Sequence, residues 1–142
     1  MYLKNFYPKI KNKYSKIKFS GIAFNSNDVR KDYIFFAIKG INSDGNKYIA
    51  EAIKKGAKII ISENVNDKLA NGILYLRVKS IRRVLAEFSN KLFKKKPKNL
   101  IAVTGTNGKS SVTDFYRQIL NLNKKKVVSI GTSGIKGKNF NR

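Results

Sequence analysis

The stretch Val103-Thr-Gly-Thr-Asn-Gly-Lys-Ser-Ser111 constrains what this chain can fold into more than any other. It follows the apolar run Leu100-Ile-Ala-Val103 and opens a pattern in which Val112, Phe115, Ile119 and Leu122 recur at helical spacing. The predicted order is therefore strand, glycine loop, lysine, hydroxyl, helix. That order suits an anion. Glycines let backbone N–H groups approach it closely, and the unpaired amides of the helix's first turn point at the same place. The competing reading is a hairpin turn at Asn107-Gly108, which the helical rather than alternating spacing after it disfavours.

The spacing is not the usual G-x-x-x-x-G-K-[ST], because the position five before Gly108 is Val103. The loop here is the shorter Gly105-Thr-Asn-Gly-Lys-Ser110. Gly105, Thr106, Asn107, Gly108, Lys109, Ser110 and Ser111 are the candidate residues for ATP phosphates. Lys109 is the candidate catalytic cation for the β- and γ-phosphates, and Ser110 the candidate hydroxyl ligand to Mg²⁺. A cation in a helix's first turn opposes the macrodipole, at a cost of about 0.3–1 kcal/mol, and a bound phosphate reverses that sign.

Composition narrows the chemistry. The 142 residues include no cysteine and no histidine, which removes disulfides, Cys/His metal sites and histidine acid–base catalysis. The net charge is +23, from 31 Lys+Arg against 8 Asp+Glu. Most of those cations are lysine, and Asn and Ile are also abundant, as A/T-rich codons would produce. A basic nucleic-acid-binding ATPase is the rival reading. It calls for an arginine and aromatic surface cluster, whereas the aromatics here sit mostly inside apolar runs. No dedicated nucleic-acid partner is expected. There is no apolar window of about 18 residues and no secretory leader pattern, so a cytoplasmic, monomeric protein without a membrane span is expected.

The remaining periodicities alternate strand and helix, which predicts an α/β fold with a mainly parallel sheet. A short docking helix is expected within 1–16, strands at 17–24, 33–38, 58–62 and 73–78, and a helix from Asn46 stopped at Gly56. Residues 63–72 read as turns. A second helix is expected after Ser80 as its cap, with Ile81, Val84, Leu85, Phe88 and Leu92 facing inward. The charged, proline-containing segment 93–99 reads as a linker. Beyond it come a strand at 100–104, the loop, a helix to Leu122 and a strand at 126–130, that is, a single β-α-β unit. One such unit cannot bury both faces of its sheet, so a fragment or truncated product is expected.

Thr104-Gly-Thr-Asn-Gly-Lys-Ser110 resembles the ATP loop of the Mur ligases, the ATP-dependent amide-forming enzymes of peptidoglycan assembly. Ser111-Val-Thr-Asp-Phe-Tyr-Arg-Gln-Ile-Leu120 with Ser129-Ile-Gly-Thr-Ser-Gly134 is similar to the MurE branch. Phe24-Asn-Ser-Asn27, Asp32-Tyr-Ile-Phe-Phe-Ala-Ile-Lys-Gly40, Asp44-Gly45 and Tyr48 to Ala57 are similar to that family's first domain. The resemblance implies a UDP-sugar-binding domain at 1–95 and the start of a central ATP-binding domain at 96–142. It implies that Phe24, Ser26, Ile41, Asn42 and Ser43 line the uridine pocket. The implied substrates are UDP-MurNAc-L-Ala-D-Glu and a diamino acid, diaminopimelate or lysine, joined through an acyl phosphate. A MurF-type ligase is the near alternative. This piece, lacking the downstream catalytic residues, is expected to be inactive alone. Two departures stand out: Asn25-Ser26-Asn27 replaces the usual Asp-Ser-Arg, removing both charges, and Ile41 stands where a histidine is common. Plain turn chemistry is the competing reading of both N-terminal loops.

Overall fold

The computed structural model describes residues 1–41, 43–138 and 140–141, the last two by backbone alone. The chain divides into two compact units, Met1–Lys96 and Pro97–Arg142. The division falls inside the charged segment 93–99.

The first unit is built on a five-stranded sheet of order β1-β2-β3-β5-β4. Its strands are β1 (Gly21–Ala23), β2 (Tyr33–Phe36), β3 (Ala57–Ser62), β4 (Lys68–Ala70) and β5 (Ile73–Arg77). The first three and β5 run parallel, and β4 pairs antiparallel with β5 at the edge. Strands β2 and β3 are apolar at nearly every position because both faces are covered. Ile34, Phe36, Ile59, Ile61, Leu74 and Leu76 face one core, and Phe35, Ile60 and Ala57 face the other. The period of two along each strand accounts for this division, except at Ala57, which precedes the register shift between β2 and β3.

The first face is covered by the short α1 (Leu3–Phe6) and by α3 (Ile81–Leu92). Phe6, Phe19, Phe36 and Phe88 form an aromatic cluster there, with ring centroids 5.0–6.0 Å apart. The other face is covered by α2 (Ile49–Lys54), which buries Ala52 completely. A 3₁₀ turn, Gly45–Tyr48, occupies the start of the helix expected from Asn46.

Two local expectations are corrected here. Residues 68–70 form a strand, not a turn. Asn71 and Gly72, at φ 50° and 76°, make the left-handed turn that folds it onto β5. Ser80 occupies the N-cap of α3, but its side chain makes no capping bond. The Ile81 amide instead donates to Glu63 Oε1 at 2.9 Å. A carboxylate at that end also complements the helix dipole.

The second unit holds α4 (Lys109–Leu122) and an antiparallel meander of β6 (Val128–Gly131), β7 (Gly134–Gly137) and β8 (Phe140–Asn141). The helix and β6 form close to their expected positions. The strand expected at 100–104 does not form: residues 99–105 carry no regular structure. A strand needs a ladder partner for its backbone groups, and β6 takes its ladder from β7 across a two-residue turn. Leu100 and Ile101 remain 88% and 58% exposed.

The cap assignment has a measurable consequence. Glu63→Ala should lower unfolding free energy by about 1 kcal/mol, the usual worth of a capping bond, while Ser80→Ala should be nearly neutral. Denaturant titration of both variants checks this, and the reverse ranking would contradict the assignment.

Candidate functional site

In the second unit, the glycine loop ends on α4 as the sequence pattern requires. Gly105 and Gly108 both adopt positive φ, at 152° and 75°. Gly108 is the left-handed N-cap residue of α4 and has no side chain with which to cap it. The first intrahelical bond runs from the Val112 amide to the Gly108 carbonyl. The amides of Lys109, Ser110 and Ser111 therefore have no partner within the helix and face the loop side. Lys109 Nζ curls back over the loop and donates to the Gly105 carbonyl and, at 3.1 Å, to the Thr106 carbonyl. These two carbonyl dipoles offset the unfavourable placement of a cation in the first turn of a helix.

A concavity of about 200 Å³ lies beside this turn. It is lined by Val103, Lys109, Ser110 and Thr113 on one side and by the turn between β6 and β7 on the other. Ser110 Oγ and Thr132 Oγ1 lie 3.3 Å apart across it. Asp114 also lines it, but its carboxylate is engaged by Arg117 at 2.7 Å and Gln118 at 2.7 Å. Those bonds, Arg117 first, hold its carboxyl below the usual aspartate range, so Asp114 is a pinned anion. Thr132 and Asp114 fall inside the segments similar to the MurE branch but are not among the candidate site residues of the sequence; α4 places Asp114 and the hairpin turn places Thr132 beside the loop. The residues present fit a phosphate group through amides, a lysine and hydroxyls. Ser110 is the hydroxyl that suits Mg²⁺, and among the described residues no cluster of acidic side chains stands ready to complete a metal shell.

In the first unit, the candidate uridine residues lie beyond the carboxyl ends of adjacent parallel strands, where open α/β sheets form ligand crevices. Phe24 and Ser26 follow β1, and Ile41 and Ser43 follow β2. Asn42 lies outside the described residues. Phe24 and Ile41 are exposed, and Ser26 is buried. Asn25 performs turn chemistry, accepting from the Asn27 amide at 2.9 Å. Asn27 is neutral, yet a cation stands beside it: Nζ of Lys55, the C-cap of α2, donates to Asn27 Oδ1 at 2.8 Å and to Glu51 Oε1 at 2.5 Å. That lysine lay 28 residues away in the sequence and carried no signal for this position.

The loop after β2 is closed at its base. The Gly40 amide donates to the Ser43 carbonyl at 2.8 Å, and the Gly45 amide to the Ile38 carbonyl at 2.9 Å. A Cβ at Gly45 would stand 2.6 Å from the Ile38 oxygen and 2.7 Å from its nitrogen, so no side chain fits there. Arg82 at the start of α3 reaches the Lys39 carbonyl at 3.3 Å.

Both halves thus carry a built loop: a glycine nest on a helix in one unit, and a clamped loop at the carboxyl edge of a parallel sheet in the other. This pairing defines an α/β protein with one loop whose free amides, lysine and hydroxyls suit an anion and another clamped at the edge of a parallel sheet. The chain belongs to the Mur ligase family. Residues 18–92 match the family model described as Mur ligase family, catalytic domain. The chain is 45% identical over 118 residues to the UDP-N-acetylmuramoyl-L-alanyl-D-glutamate–2,6-diaminopimelate ligase of Rickettsia prowazekii (strain Madrid E), covering 83% of this chain and 24% of that protein. It spans about a quarter of the length of the curated relatives it matches. Among solved structures it resembles the MurF ligase of Thermotoga maritima in complex with ADP, at 30% identity and a TM-score of 0.56 over 74% of this chain and 24% of that one. A structure of a UDP-N-acetylmuramoyl-L-alanyl-D-glutamate–2,6-diaminopimelate ligase shares the fold, with a TM-score of 0.74 at 22% identity over 99% of this chain and 29% of that one.

Asp44 links this site to pH. Its carboxyl is held below the ordinary value of about 3.9, first by the Asn46 amide N–H and then by the Asn46 side chain. A depressed folded-state value means the contribution is present above the unfolded-state value and lost as pH falls through the folded one. Acidification below about pH 4 should therefore loosen the loop in wild type. In Asp44→Asn the acid-side fall in melting temperature should be smaller. Equal acid sensitivity in the two proteins would contradict this.

Proposed function

We propose that this chain carries the UDP-sugar-binding and ATP-phosphate-binding parts of a MurE-type ligase, which joins a diamino acid to UDP-MurNAc-L-Ala-D-Glu in the cytoplasm. The observation that carries the reading is the glycine nest: left-handed Gly108 opening α4, with Lys109 folded across it and Ser110 at the cleft. The 45% identity to a relative named as a 2,6-diaminopimelate ligase supports diaminopimelate as the amino acid added. The MurF-type alternative draws on the resemblance to the Thermotoga maritima structure at 30% identity, which covers 74% of the chain against 83% for the MurE-named relative.

The chemistry is the one that membership of the Mur ligase family implies. The D-glutamyl carboxylate oxygen attacks the γ-phosphorus of ATP, the bond between that phosphorus and the bridging oxygen of the β-phosphate breaks, and ADP leaves. The incoming amine then attacks the acyl carbonyl, loses a proton and expels inorganic phosphate. Lys109 leaves the Gly105 and Thr106 carbonyls to neutralise the β- and γ-phosphate oxygens. The amides at the start of α4 bind the same oxygens without reorganisation, because the helix already aims them. Mg²⁺, held in part by Ser110, would supply further charge neutralisation. On the substrate side, Phe24 and Ile41 offer apolar surface to a uracil ring and the exposed Ser43 offers a hydroxyl to the nucleoside, while the buried Ser26 faces Glu51 and shapes the loop beneath.

Titration of the chain with ATP at high salt tests this reading. Saturable binding is expected, weakened about tenfold or more in Lys109→Ala, as befits a lost charge-assisted contact. Binding that vanishes with added salt and ignores the Lys109 substitution would mean that only the basic surface attracts the nucleotide.

A further inference from the structure

We propose that Asn46, acting through the buried hydroxyl of Ser62, is the positioning residue that holds Ile41 and Ser43 in register for the UDP-sugar. This rests on the substrate-side reading above and adds a residue that neither the sequence pattern nor the resemblance singled out.

Asn46 uses both ends of its amide. Its Nδ2 donates to Asp44 Oδ1 at 2.6 Å, and its backbone N–H donates to the same oxygen at 2.9 Å. Its Oδ1 accepts from Ser62 Oγ at 2.6 Å. Ser62 is fully buried at the carboxyl end of β3, and its oxygen accepts in turn from the Asn64 amide at 3.0 Å. The chain of bonds runs from the exposed loop, through one side chain, into the most buried strand of the sheet. The Asp44 carboxylate can only accept, so it fixes which end of the Asn46 amide faces it. The other end is thereby presented to Ser62 as an acceptor. No other side chain of this size supplies a donor and an acceptor in that arrangement. Aspartate would set two carboxylates together, and leucine would strand a buried hydroxyl.

Geometry makes the connection consequential for a ligand. The Gly40–Ser43 and Gly45–Ile38 backbone bonds close the neck of the loop, and Arg82 holds Lys39 from the far side. These contacts fix the neck to its own strand and to α3. Among the described residues, the Asn46–Ser62 bond is the side-chain hydrogen bond that joins the following turn to β3, the neighbouring strand. The exposed Ile41 and Ser43 therefore keep a fixed position relative to the β1 loop that carries Phe24 while that tie holds.

The test uses the full chain and its Asn46→Ala and Ser62→Ala variants, with UDP-MurNAc-L-Ala-D-Glu and ATP as separate probes. In both variants, amide hydrogen exchange at Gly40 and Gly45 should quicken by about tenfold while the central strand amides stay protected. Affinity for the UDP-sugar should fall by about tenfold, and affinity for ATP should not change. Unchanged exchange at Gly40 and Gly45 in both variants overturns the inference. So does an equal loss of both affinities together with global loss of protection, which is what a purely structural role produces. Absence of saturable UDP-sugar binding by the wild-type chain overturns the substrate reading itself, and this inference with it.

Discussion

Parallel pairing of β2, β3 and β5 is the constraint on which the first unit depends. Ile34, Phe36, Ile59, Ile61, Leu74 and Leu76 are all buried on one face of these strands, and Phe35 and Ile60 on the other. A slip of one residue would exchange the faces and place Phe88 of α3 against the wrong set of side chains. Because the strands are parallel, every loop that follows them leaves the sheet on the same edge. Phe24, Ile41, Ser43, Asn46 and Glu63 reach that edge for this reason, although they come from three different connections, those after β1, β2 and β3.

The second unit depends on a different device. Its helix begins at a residue without a side chain in a conformation that other residues adopt at a cost. No capping group therefore competes for the first-turn amides. Lys109 takes up the loop carbonyls in the meantime, which keeps a cation stable where the helix dipole disfavours it. The free amides and the lysine thus make the nest electrostatically suited to an anion.

Much of this was legible in the sequence. The apolar runs at β2, β3 and β5 and the inward face of α3 followed from periodicity, because burial on two faces or one leaves a plain pattern. The glycine loop was legible because each of its residue types has a mechanical reason to be there. The failures share a cause. Strand 100–104 was read from apolar content, but a strand also requires a ladder partner, which content does not reveal. Strand β4 was missed because Lys68-Leu-Ala70 is too short and too mixed to show a period, although Asn71-Gly72 is a strong hairpin signal. The Ser80 cap was displaced by Glu63, and the charge missing at Asn27 is supplied by Lys55. Both substitutes come from distant positions that only the fold brings near, as do Asn46 and Ser62.

The central claim is that two loops in two units hold two different ligands. Backbone amide shift mapping of the chain tests it most directly, with UDP-MurNAc-L-Ala-D-Glu and ATP added separately. The account predicts two separate footprints: residues 24–27 and 40–46 for the sugar nucleotide, and residues 105–111 with 131–134 for ATP. Shifts spread over the lysine-rich segments 94–98 and 124–126 with either ligand, and abolished by salt, would contradict it.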